Sequence, residues 1–130
     1  MLVRLFLTGL LCVLLVIPAH AKPWNVVDLG RLHKEEHCML VAARTFKSLR
    51  AEYGAGRLRA SDWVTFADDV AGNHDAMISC GYSGLTGARA TLVVHSNAKH
   101  VDAHFITRRI SILFEEHAQK VTQAWRDSYN

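Results

Sequence analysis

Beyond residue 21 the sequence has no apolar run long enough to span a bilayer, no glycine-rich phosphate loop, no CxxC pair and no zinc-knuckle spacing. It also lacks repeats, linkers and low-complexity tracts. A membrane-crossing helix needs about 20 consecutive apolar residues, so residues 22–130 are expected not to cross one. Charge of one sign is scarce too. There are 15 Lys+Arg against 12 Asp+Glu, a net charge of +3, too small an excess for a nucleic-acid binder. A length of 130 residues allows one domain and excludes a two-domain enzyme, a solenoid array or a complete dinucleotide fold. The apolar share of 50% is inflated by the first 21 residues, and the remainder is ordinary for a globular domain.

Those first residues have the three parts of an export signal. Met1 to Arg4 is a short basic start, Leu5 to Ile17 is apolar apart from Thr8 and Gly9, and Pro18-Ala19-His20-Ala21 closes with small residues. This layout predicts a signal peptide over 1–21, cleavage after Ala21, and a single periplasmic or secreted domain over 22–130 that begins at Lys22. A retained anchor is disfavoured, because the apolar stretch rises only about 20 Å as a helix against a ~30 Å hydrocarbon core. Cys12 does not mark a lipoprotein, since Leu11 stands where a small residue would be needed.

Two cysteines then remain, Cys38 and Cys80. An even count in an exported chain reads as one disulfide. A nucleophilic Cys38 beside His37 is disfavoured, because neighbours on a helix point about 100° apart.

Periodicity predicts a long helix from an Asp28 N-cap to Tyr53, with Leu32, Met39, Ala42, Ala43, Phe46, Leu49 and Tyr53 as its apolar stripe and Gly54 as its left-handed stop. Over 61–72 the spacing of Trp63, Phe66, Ala67 and Val70 behind Ser61 favours a short helix. The run Trp63-Val64-Thr65-Phe66 would also serve as a strand. Residues 76–82 and 88–94 read as two strands joined by a hairpin loop over 83–87. Asn97 then caps a second long helix to about Arg126, with Ala103, Ile106, Ile110, Leu113, Val121 and Ala124 turned inward. The expectation is a small α+β domain, two long helices flanking a short antiparallel β-hairpin or sheet in the order helix, helix or strand, strand, strand, helix, stapled by one disulfide.

Charge is uneven along the chain. Arg44, Lys47, Arg50, Arg57 and Arg59 face only Glu52 over 44–59, whereas residues 60–82 hold Asp62, Asp68, Asp69 and Asp75 and no cation. The simple reading is two halves of a solvated surface that attract one another. The sharper one is a basic patch for an anionic envelope component or another protein.

Histidines offer the main candidate chemistry. His33-Lys34-Glu35-Glu36-His37 spells H-x-x-E-H, the order of inverted zinc peptidases. Projection places His33 and His37 at about 120° and 160° from Met39, on an outer face with Arg44 and Ser48, where no dry, open coordination site exists. His100 and His104 repeat the i, i+4 spacing at the start of the second helix, again outward. Four such histidines could together chelate a transition metal. His117 projects onto the apolar stripe and reads as a hydrogen-bonded core residue. Gly81-Tyr82-Ser83-Gly84 is one residue short of a nucleophile elbow, and adjacent Asp68 and Asp69 diverge too far to share acid–base work. No catalytic residue, cofactor or resident metal is expected. The sequence predicts a small exported module of the inhibitor, immunity or envelope-accessory kind, acting by binding. The alternative is an extracytoplasmic metal binder using His33, His37, His100 and His104.

Overall fold

Strict alternation along residues 74–96 dictates the sheet. His74, Ala76, Ile78 and Cys80 are buried, as are Ala88, Ala90, Leu92, Val94 and Ser96, while the residues between them reach the opposite face. A period of two means that one sheet face is covered by other elements. The computed structural model describes residues 24–84, 87–97 and 103–130. The expected signal segment and His100 therefore lie outside the described residues.

The order of elements is β1 (Trp24–Leu32), α1 (Glu35–Tyr53), β2 (Leu58–Ala60), β3 (Val64–Val70), β4 (His74–Tyr82), β5 (Ala88–Ser96) and α2 (Ala103–Asp127). The strands form one antiparallel sheet in the order β1-β5-β4-β3-β2. α1 packs on β3 and β4, α2 packs on β1 and β5, and the two helices pack on each other. The fold is α+β, with two long helices, an antiparallel sheet and the Cys38–Cys80 disulfide. That bond joins α1 to β4 with Cα atoms 5.9 Å apart, inside the window that bridging requires. Both cysteines belong to the same apolar core as Phe46, Leu49, Ile78, Leu92, Ile110 and Phe114. Among the described residues no helix is long and apolar enough to cross a membrane.

Two local expectations are corrected. Residues 24–32 form a strand, so Asp28 caps no helix, and α1 starts seven residues later. Pairing with β5 wins here, bent by a bulge between Asp28 and Gly30, where Gly30 adopts φ 92°. The Asp28 carboxylate accepts from Arg89 and from the Gly30 N–H, which together hold its pKa below the ordinary value. Residues 64–70 are strand rather than helix. Thr65 and Ala67 face the helices while Val64 and Phe66 take the other face, and both neighbours hydrogen-bond to β3. Trp63, the first residue of the expected helical stripe, is 56% exposed. The expected cap at Asn97 is followed by residues 98–102, which lie outside the described residues; the Asn97 amide donates to Asp75, and its backbone N–H donates to Asn73.

The buried face of α1 is also rotated from the expected stripe. Cys38, Val41, Ala42, Thr45, Phe46 and Leu49 are buried, whereas Tyr53 is exposed and Met39 only half-buried. The reason is two-sided covering, with the sheet below and α2 alongside. Gly54 does end α1 with φ 77°, as expected, and its N–H donates to Arg50 O.

Candidate functional site

On α1, the residues Ala43, Phe46, Lys47, Arg50 and Ala51 recur every three or four positions and so share one side of the helix. That side overhangs the short edge strand β2. Leu58 and Ala60 pair with Ala67 and Thr65 in the β2–β3 ladder, so all four point to the helix-bearing face. Between the two layers lies an open groove of about 560 Å³ lined by these residues of α1 and by Leu58, Arg59, Ala60 and Thr65, within the range of small-molecule sites. Alanines at 43, 51 and 60 make the space, since a longer side chain at any of them would project into it.

The groove is mostly carbon, with four polar side chains, those of Lys47, Arg50, Arg59 and Thr65. Lys47 and Arg50 stand exposed on its helical wall, and among the described residues neither side chain has an ion-pair partner. Thr65 is only 4% exposed, yet among the described residues its Oγ1 has no hydrogen-bond partner. A buried hydroxyl without a partner costs roughly 1–3 kcal/mol, and such exceptions call for a specific reason.

Neighbouring charges are already engaged. Arg59, also at the groove, forms a fork with Asp68 at 2.9 Å and lies over the Phe66 ring. Glu52 on α1 receives a similar fork from Arg109 of α2 at 2.6 Å, and that bond keeps its carboxyl below the ordinary pKa. The basic stretch over 44–59 is thus partly neutralised by the acidic stretch after it, leaving Lys47 and Arg50 at the groove.

The histidines are dispersed. His33 precedes α1, and with His37 it packs around Trp125 near the end of α2, at 4.2 and 6.4 Å between ring centroids. His104 lies at the start of α2, where its Nδ1 meets Asn25 Nδ2 at 3.3 Å. Positions 104 and 125 are separated by about 30 Å of helix at 1.5 Å per residue. The structure therefore does not bring His33 and His37 together with His104, and His100 falls outside the described residues. The expected solvated face of α1 is instead where α2 packs. Ser48, placed on that face by the sequence, meets His117 Nε2 at 2.9 Å. Burial first, then Lys120 and Arg44, push the His117 pKa below the usual histidine value. Ser83 N–H donates to Gly87 O within the β4–β5 loop. Among the described residues no group of three or more His, Cys, Asp or Glu is placed to hold a metal.

Sequence reasoning missed the groove because it depends on β2, three residues long, and on the β2–β3 register. The available signal was the strand alternative for 63–66, which sets Thr65 on the face opposite Val64 and Phe66. Set against family models, curated proteins and solved structures, the chain matches none of them.

Proposed function

We propose that this chain is a small exported binding module with no chemistry of its own, and that it takes a small ligand in the groove between α1 and β2–β3. One observation carries this reading. Thr65, whose buried Oγ1 has no hydrogen-bond partner among the described residues, is one of the residues lining the apolar groove, and a binding site is where a buried polar group is left for a ligand to satisfy. A fully buried disulfide suits an oxidising, extracytoplasmic compartment, in keeping with the signal-like residues 1–21. Lys47 and Arg50 favour an anionic component of the envelope as the thing bound.

Protein purified from the extracytoplasmic fraction of producing cells tests both halves. Its intact mass should place the first residue at Lys22. It should also enhance the fluorescence of N-phenyl-1-naphthylamine, a neutral apolar dye, with one saturable site. Ala51→Leu, which fills the groove from an exposed helix position, should abolish that enhancement without lowering the melting temperature. An intact Met1 would refute export. A variant that binds dye like the wild type would refute the groove.

A further inference from the structure

We propose that the occupant of the groove is a single-chain anionic amphiphile, with its apolar body along α1 and β2 and its carboxylate or phosphate head held by Lys47, Arg50 and Thr65. This rests on the groove being the binding site.

The charge argument comes from what the protein's own carboxylates are doing. Glu52 is committed to Arg109 and Asp68 to Arg59, whereas the side chains of Lys47 and Arg50 have no anion among the described residues. Two cations on one wall of an open, mostly apolar groove create a local positive potential, and an anion brought in from solution satisfies it. An ammonium and a guanidinium both donate to a carboxylate or a phosphate oxygen.

Thr65 adds direction. Its hydroxyl sits in β3 between Ala60 of β2 and Ile78 of β4, two side chains that cannot accept a hydrogen bond. Of the groups a ligand could offer, an anionic oxygen makes the strongest partner for an O–H donor. That hydroxyl is shielded until a head group displaces what covers it, and the same anion would then meet Lys47 and Arg50 on the groove wall.

The rest of the groove selects the body. Phe46, Leu58 and the alanines present carbon. A small inorganic anion would leave that surface wet, and a neutral hydrocarbon would leave the cations and the hydroxyl unanswered. Only a molecule with both parts uses the whole site. Its fixed size of about 560 Å³ fits one chain rather than a membrane surface.

The experiment displaces the neutral dye from the purified protein with decanoate, decyl phosphate, decanol and decyltrimethylammonium, each below its micelle-forming concentration. At least one of the two anions should compete at about tenfold lower concentration than decanol, with decyltrimethylammonium weakest. The better of the two anions identifies the head group. Replacing Lys47 and Arg50 together by Gln should weaken the anion about tenfold and leave decanol unchanged. Thr65→Val should also weaken the anion about tenfold, the scale of one charge-assisted hydrogen bond. In the ligand-free protein it should leave the melting temperature unchanged or raised, because it deletes a buried hydroxyl that has no partner. A purely structural Thr65 would lower that temperature and leave the preference for anions intact. Decanol matching both anions, or a Lys47/Arg50 double variant that binds decanoate like the wild type, would overturn the anionic class while leaving the groove as a binding site. No dye binding at all would sink both.

Discussion

Breaking the Cys38–Cys80 bond should remove a large share of the stability of the fold. The two residues are 42 positions apart, and the loop they close contains β2, β3 and both of their turns. In the chain-entropy treatment a loop of that length restricts the unfolded chain by about 4 kcal/mol. A domain of this size holds roughly 5–15 kcal/mol in total. At roughly 4 °C or more per kcal/mol, the melting temperature should fall by about 15 °C. Both cysteines are essentially inaccessible, at 0% and 1% exposure, so reductant should reach the bond only when the core opens. Reduction should therefore be slow in native buffer and fast in denaturant. The assay is a set of circular-dichroism melts of oxidised protein, protein reduced while unfolded and then refolded, and the Cys38→Ala/Cys80→Ala variant. The reduced protein keeps both sulfurs, which separates the lost cross-link from lost packing. Thiol labelling under denaturing conditions fixes the oxidation state. Melts that overlay, or two reactive thiols in the native protein, would refute the reasoning.

Two further outcomes are expected. Gly87 opens β5 at φ 90°, and a Cβ there would run into the Leu32 carbonyl oxygen. Gly87→Ala should cost about 3 kcal/mol or more, while Gly84→Ala, with φ 63° but open space around it, should cost about 1 kcal/mol. Urea melts of the two variants check the contrast, and equal midpoints would contradict it. His117 has its pKa lowered by burial and by Lys120 and Arg44, with only Glu116 opposing. The unfolded chain then binds a proton first as pH falls, so stability should decline as pH drops below the ordinary histidine range. His117→Gln, which can still bond Ser48, should flatten part of that decline between pH 7 and 5, and unchanged pH profiles would reject the assignment.

What the sequence determined by itself is what depends on neighbours along the chain. Alternation over 76–82 and 88–94 specified two strands and their covered face, because a period of two leaves few other ways to bury Ile78, Cys80, Leu92 and Val94. Cysteine parity beyond an export-like segment specified the disulfide, and Gly54 marked the end of α1. Three matters were decided only by tertiary pairing. Residues 24–32 carry Val26, Val27 and Leu29 in a pattern that a helix or a strand could use, and the β5 edge resolved it. Residues 64–70 carry both periods at once, and flanking by β2 and β4 chose the strand. The face of α1 holding His37 and Ser48 looked solvated because α2, some 69 residues onward at His117, is invisible to local periodicity. The groove belongs to the same class of fact. Ala43, Lys47 and Arg50 read as an ordinary exposed helix face, and Thr65 as an ordinary strand residue. Only the packing of α1 over a three-residue edge strand puts Lys47, Arg50 and Thr65 in the lining of one groove, because the side chains that meet there are brought together by packing and not by spacing.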